Sequence, residues 1–450
     1  MSRLRLGIAT AVARLVAAVL RVGGSGGTSA PGKVLLALAP QAIAQRSARL
    51  ARGCAVISAT NGKTTTSAIV AEIMRADGAT LVHNHAGANM AGGIAATLID
   101  QDGDFGLFEV DEFWLPGLVQ QLEPRAVLMA NLFRDQLDRY GELDQIVNRW
   151  REVAESPRSG RLVLNADDPL IAGLGDGVDD PLYFGLEDIE AGSASPQHAS
   201  EQACCPVCGS QFTYSVYFVG HLGHYRCPNG HASRPNPQIT ASEITLRGLG
   251  GSSFTLNLGA ESFSIGLAMP GLYNVYNAVA AAALAVSLGV ASDDIVAGIE
   301  AASPAFGRAE ALDVAGRECS IMLIKNPAGA NEVLRTLASD NEPRALLIAL
   351  NDRIADGRDI SWIWDADFEQ LASSVDEITC TGSRSVELAL RLKYAGIAPE
   401  RVRVEANLGP ALDGALATST SRLVVLPTYT AMLEIRELLV ARGAATGSFA

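Results

Sequence analysis

A strand, a glycine-lysine turn and a helix follow one another without a break near residue 60, and nothing else in the chain limits its fold as much. Residues 54–58 form a short apolar run, Ala59-Thr60-Asn61-Gly62-Lys63-Thr64-Thr65-Thr66 follows, and a helical pattern continues through Met74. Such a loop is stable where the strand ends inside a sheet and the helix packs back on it, so that backbone N–H groups and the helix N-terminus face an anion. The predicted chemistry is phosphate binding. Lys63 reaches the terminal phosphates, Thr64 binds Mg²⁺, and Thr60, Asn61, Gly62 and Thr65 line the loop. Ile57 replaces the outer glycine of the common pattern, which assigns the loop to a variant class.

Further apolar runs at 107–110, 126–130 and 162–164 each end in polar residues and alternate with helical stretches. This predicts an α/β fold whose parallel-rich sheet carries its chemistry at the strands' C-terminal ends. Cysteines, histidines and prolines then concentrate in 193–237, a small-residue helix is expected at 274–288, and a second alternating block has strands at 321–324, 345–350, 377–380 and 423–426. At 450 residues the chain exceeds a single ordinary core. The expected layout is an N-terminal amphipathic helix and linker (1–45), a central nucleotide-binding domain (46–306) with an insertion at 200–237, and a separate α/β domain (307–450).

The formal net charge of −14 excludes a nucleic-acid partner, because no basic field would offset phosphate repulsion. Seven cysteines in a chain of this length are no secreted disulfide framework, so a reducing cytoplasm is expected. The first 22 residues combine arginines with an apolar run, but Arg14 interrupts it and the run is shorter than the roughly 20 residues of a membrane span. Leu6, Val12, Leu15, Val16 and Leu20 share one helical face, which predicts a helix packed on the body through that face, with peripheral membrane attachment as the alternative.

Cys205-Pro-Val-Cys208 and, after a gap, Cys227-Pro-Asn-Gly-His231 have the spacing of a zinc ribbon with one altered knuckle. Three thiolates and the His231 imidazole make the candidate set for a structural Zn²⁺, with Cys204, His221 and His224 as alternates for the fourth ligand.

The phosphate loop resembles that of the Mur ligases and folylpolyglutamate synthases, and other segments agree in order. They are Glu109 and Asp111 at a strand end, the Asn131 segment (NLFRDQLDRYGELD), Asn165-Ala-Asp-Asp-Pro169, Gly271-Leu-Tyr-Asn274-Val-Tyr-Asn277, and Gly307-Arg308-Ala-Glu310. The resemblance implies ATP and Mg²⁺, with Glu109 as a magnesium ligand and Asn274, Asn277 and Arg308 on the nucleotide side. It also implies activation of a carboxylate as an acyl phosphate, for which like charges must be neutralised before attack.

A ribbon in this position, His83-Asn84-His-Ala-Gly-Ala-Asn-Met90, Lys325-Asn-Pro-Ala-Gly329, Thr381-Gly-Ser-Arg384, Pro427-x-Tyr429-Thr430 and above all residues 350–365 (LNDRIADGRDISWIWD) narrow this to the MurT family of Mur ligase-like synthetase subunits. That resemblance implies amidation of the D-Glu α-carboxylate of lipid II at the inner face of the cytoplasmic membrane, with only peripheral contact to the membrane-bound substrate. It also implies a GatD-type class I glutaminase partner whose Cys-His pair is completed by Asp359. A carboxylate on an imidazole N–H fixes the tautomer and stabilises the imidazolium. Among Asp352, Asp356 and Asp359, one or two are expected to serve only as loop caps, and Trp362 and Trp364 suit either core or partner contact. Outside the ribbon the sequence holds no Cys-His cluster, so ammonia must come from solution or from a second subunit. The alternatives are a stand-alone Mur-type amino-acid ligase or polyglutamate synthase, and a scaffold without catalysis.

Overall fold

The computed structural model describes every residue except 1–2, 23–28, 85–87, 135–142, 198–202, 305–307, 315, 340–344, 373–374, 419–421 and 445–450. Its strands are, in chain order, β1 (Cys54–Ser58), β2 (Leu81–His83), β3 (Phe105–Glu109), β4 (Ala126–Met129), β5 (Arg161–Asn165), β6 (Leu182–Leu186), β7 (Thr213–Tyr217), β8 (Gly223–Arg226), β9 (Ile239–Leu246), β10 (Ser252–Leu258) and β11 (Glu261–Leu267). They continue with β12 (Arg308–Val314), β13 (Arg317–Met322), β14 (Ala345–Ala349), β15 (Glu377–Thr381), β16 (Val402–Val404) and β17 (Arg422–Pro427).

A nine-stranded sheet runs β11-β10-β9-β6-β5-β4-β1-β3-β2. The strands from β2 across to β9 pair in parallel, and β9, β10 and β11 form an antiparallel meander. Every residue of β1, β3 and β4 is buried, as expected where helices cover both faces of a parallel sheet. The chain passes from β1 to β2 and β3 on one side and then to β4 on the other. β1 is therefore a topological switch point, where a crevice opens beyond the strand ends. Register fixes the chemistry there: Ile57 lies opposite both Glu109 and Leu128, which brings the end of β3 alongside the loop leaving β1.

One face of this sheet is covered by the helices Lys63–Ala76 and Leu272–Leu288, the latter packing a run of buried alanines closely on β4, β5 and β6. The other face carries the N-terminal helices Arg3–Val22 and Ala30–Leu38 and the helix Ala91–Asp100. Gly32 permits that packing, since a Cβ there would lie 1.8 Å from the Gly92 carbonyl oxygen. The helix Arg3–Val22 does pack on the body, but only part of the predicted face turns inward: Leu6 is buried and Val16 and Leu20 are half-buried. Leu6, Ala9, Thr10 and Ala13 are buried, whereas Val12 and Leu15 are exposed. Small side chains allow the closer helix approach, and that decides which face turns inward.

The second sheet runs β12-β13-β17-β14-β15-β16, parallel except for β12. Its two faces hold separate apolar clusters. β7 and β8 form a small antiparallel hairpin of their own within the cysteine-rich segment.

Candidate active site

Gly62 caps the helix Lys63–Ala76 at φ 84°, and a Cβ there would lie 2.1 Å from Asn277 Oδ1. Only glycine satisfies both the left-handed turn and that approach. Asn277 Oδ1 accepts from Thr66 Oγ1 (3.2 Å), and its amide donates to Asn274 Oδ1 (3.0 Å), so both expected asparagines brace the loop. Asn131 closes the other side, accepting from the Asn61 N–H (2.9 Å) and donating to the Asn61 carbonyl (2.9 Å). Phe133 N–H donates to Thr60 Oγ1 (3.1 Å).

Thr64 Oγ1 donates to Glu109 Oε2 at 2.9 Å, so the two expected magnesium ligands adjoin. Glu109 is itself held in place, its backbone N–H donating to Asn84 Oδ1 and its carbonyl accepting from Asn84 Nδ2. Lys63 is buried and donates to the Ala59 carbonyl and, at 2.9 Å, to Glu112 Oε2. Burial works to lower the Lys63 pKa, but the charges of Glu112, Glu109 and Asp111 outweigh it and raise it. Burial pushes the Glu112 carboxyl up, and Lys63 with Lys325 more than reverses this and holds it below its usual range. An ammonium surrounded by carboxylates at the mouth of a phosphate loop is a cation held in readiness for a polyanion.

The second sheet reaches this loop directly. Lys325 Nζ donates to the Thr60 carbonyl (3.1 Å), and the Asn61 and Asn326 side-chain amides donate to each other (3.3 and 2.9 Å). Asn326 also caps the helix Pro327–Ala338 by accepting from Gly329 N–H. Glu112 and Lys325 were absent from the expected site residues. Both stand in motifs visible in the sequence, but nothing local in those motifs ties them to the loop. Arg308 begins β12, and its side chain, like Gly307, lies outside the described residues. So do residues 85–87 and 135–142 of two expected motifs.

Asp167 and Asp168 join the remaining parts. Asp167 accepts from Arg234 (2.6 Å), Tyr276 OH (2.7 Å) and Leu186 N–H (2.8 Å). Asp168 caps the helix Pro169–Ala172, accepts from Leu132 N–H and lies 3.2 Å from His221 Nε2.

In the cysteine-rich segment the ligand atoms of Cys205, Cys208, Cys227 and His231 all lie within 4.8 Å of one another. Cys208 and Cys227 sulfurs are 3.6 Å apart, close to the edge of about 3.8 Å that a tetrahedron of ~2.3 Å Zn–S bonds requires. The alternates fall away. Cys204 is not among the atoms that converge, His224 faces the Leu186 carbonyl, and His221 lies against Asp168 and the Phe133 ring. Hydrogen bonds from the Asn229 amide, then Ser210, bring the Cys208 thiol down to about 5. Three thiols and an imidazole converging in this way fit a closed zinc shell.

Comparison with known proteins agrees with this geometry. Residues 57–223 match the Mur ligase middle domain, and residues 323–432 match the MurT ligase C-terminal region. The chain is 34% identical over 395 residues to the lipid II isoglutaminyl synthase (glutamine-hydrolyzing) subunit MurT of Streptococcus pneumoniae, covering 86% of this chain and 87% of that one. It is 33% identical to the subunit of the same name from Staphylococcus aureus strain COL, covering 95% and 96%. The chain belongs to the MurT family. Solved structures place this MurT-family chain among the Mur ligases in fold. A pseudomurein peptide ligase type C from Methanothermus fervidus superposes with a TM-score of 0.67 at 25% identity, over 86% of this chain and 78% of that one. MurF from Acinetobacter baumannii shares the fold, with a TM-score of 0.66 at 18% identity over 91% and 80%.

The MurT-type segment after β14 sorts its three aspartates. Asp356 is buried and accepts from Thr430 N–H (2.7 Å), Thr430 Oγ1 (2.6 Å) and Arg353 N–H (3.2 Å). Asp352 accepts from Ser383 Oγ (2.8 Å) and Arg384 (3.4 Å). Asp359 is exposed and accepts from the Ser361 N–H (2.8 Å). Asp356 is thus a strut of the fold, and Asp359 is open to another molecule. Trp362 packs against the apolar cluster on one face of the second sheet, and Trp364 is 45% exposed, with its ring 5.7 Å from that of Tyr394.

Proposed function

We propose that this chain is the synthetase subunit of a lipid II isoglutaminyl synthase, converting the α-carboxylate of D-Glu in lipid II to the amide at the expense of ATP. The observation that carries the reading is the meeting of the two sheets at one loop. Lys63 sits among carboxylates inside it, and Lys325 and Asn326 reach it from the far side. That arrangement suits a reaction in which two anions are brought together. A carboxylate oxygen attacks the γ-phosphorus and ADP leaves; ammonia then attacks the acyl carbon, phosphate leaves, and a proton is lost to give the amide. Lys63, on leaving Glu112 for the terminal phosphates, offsets charge during the first step, and the Thr64–Glu109 pair would hold a Mg²⁺ that screens the phosphates. The names of the relatives, as subunits of a glutamine-hydrolysing synthase, support the amide nitrogen and a second subunit. We assign that partner as a GatD-type class I glutaminase, approached through Asp359, and the lipid-linked substrate places the work at the inner face of the cytoplasmic membrane. Among the described residues no helix is long and apolar enough to cross a membrane. The expected borders at 46, 200, 237 and 307 are kept as proposed domain limits.

The test is the nitrogen source. Purified chain with its partner and lipid II should consume ATP with glutamine, and the chain alone should do so with ammonium. Turnover that needs an amino acid and ignores ammonium would hand the reading to a stand-alone Mur-type ligase.

Zinc in the ribbon is proposed as structural, fixing the β7–β8 hairpin. Metal analysis should find about one zinc per chain. Cys208→Ser should lose it and open the 205–231 segment to proteolysis, while the phosphate loop still binds nucleotide. A zinc-free chain with an equally resistant ribbon would remove the metal from the account.

A further inference from the structure

The helix Arg3–Val22 shows solvent a line of large apolar side chains. Ile8 is 59% exposed, Val12 38%, Leu15 65% and Val19 64%. Spacings of four, three and four residues put them on one face, over about 16 Å of helix. The opposite face holds the helix to the body through Leu6, Ala9 and Ala13, and the guanidinium groups of Arg5 and Arg14 donate to the Leu38 and Ile99 carbonyls. The stripe is therefore neither a frayed end nor part of the core.

Charge points to what covers it. The first 50 residues contain seven Lys and Arg and no Asp or Glu, in a chain of net charge −14, so the remaining 400 residues carry −21. Arg46, which donates to Thr10 on this helix, has its pKa lowered by burial and then by the like charges of Arg49 and Arg14, with Asp102 opposing. Two copies meeting through this face would set one basic patch against another. A flat apolar line with a basic surround, in a chain otherwise acidic, has the chemistry of an interfacial helix on an anionic lipid surface.

We propose that the helix Arg3–Val22 docks this protein in the plane of an anionic phospholipid membrane, with Ile8, Val12, Leu15 and Val19 immersed below the headgroups and the positive net charge of the first 50 positions attracted to lipid phosphate. The proposal deepens the functional reading, since it carries the phosphate loop to a substrate held in the same surface, but it rests on the stripe and the charge distribution alone.

Sedimentation of the full chain with vesicles tests it. Vesicles of phosphatidylglycerol and phosphatidylcholine should pellet the protein, and pure phosphatidylcholine or high salt should reduce the bound fraction severalfold. Leu15→Asp with Val19→Asp should cut binding to the anionic vesicles about tenfold or more, while an unchanged melting temperature shows the fold intact. No binding of wild-type protein to anionic vesicles overturns the proposal, as does equal binding by the double variant. Self-association abolished by the same substitutions, without vesicle binding, also overturns it and gives the stripe to a second copy. Amidation of a water-soluble, truncated substrate separates the two readings. Normal rates in the double variant keep the synthetase assignment whatever the vesicles show.

Discussion

Lys63→Ala is expected to lower ATP-dependent amide formation by about 10²–10³-fold, some 3–4 kcal/mol of transition-state stabilisation, in line with removal of one preorganised charge from a phosphoryl or acyl centre. The loss should appear in kcat as well as in nucleotide affinity, because Lys63 meets charge that grows as the phosphoryl group transfers. The single variant also leaves Glu112 buried near Glu109 and Asp111 with Lys325 as a more distant counter-charge, and a buried charge deprived of its partner destabilises a fold by about 3–5 kcal/mol. Combining Lys63→Ala with Glu112→Gln separates the two effects. The double variant should regain most of the lost melting temperature and none of the activity. Amidation at the wild-type rate in either variant would take the loop out of the mechanism.

Asp359→Asn should divide the two nitrogen sources. Glutamine-driven amidation by the two-subunit enzyme is expected to fall by about 10²–10⁴-fold, the scale on which an imidazole loses function when its orienting carboxylate becomes an amide. Ammonium-driven amidation should stay within about threefold, because Asp359 lies on the segment after the second sheet's β14 and its contact is with its own loop at Ser361. The amide can still cap Ser361 N–H, so the loop need not collapse. Equal loss with both nitrogen donors would reassign Asp359 to the synthetase reaction.

How far the sequence could be read follows the range of the interactions involved. The loop at 59–66 is local. A buried strand, a glycine with positive φ and a helix start lie within one short stretch, and the structure places them as expected. β1, β3, β4, β5, β13, β14, β15 and β17 were legible as apolar runs, whereas the parallel strands β2, β6 and β16 were not expected, and neither were β9, β10 and β11, which alternate buried and exposed residues on a half-solvated face. The Cys-His cluster, His231 included, was legible from its C-x-x-C turn and spacing, and what the sequence left open was the alternates His221 and His224, which face other partners. Lys325 and Asn326 meet the loop from 265 positions away, a pairing set by how two sheets dock and by no local pattern. The N-terminal helix was only partly read at the face, because a sequence with two apolar faces does not say which will be covered: Leu6 is buried as expected, Val12 and Leu15 are not. Here Ala9 and Ala13 allowed the closer fit.

The junction at Thr60 and Asn61 has a consequence for the catalytic cycle. Among the described residues, Lys325 and Asn326 bond the loop, and Arg335 with Phe218 and Gln197 with Glu332 add further bonds between the two halves, each hydrogen bond contributing about 1 kcal/mol net. A nucleotide that touches both sides would couple its own affinity to how the two halves are held together. Breaking those bonds would weaken the hold on a nucleotide without touching the acid to be amidated, so substitutions at Lys325 or Asn326 should alter nucleotide affinity.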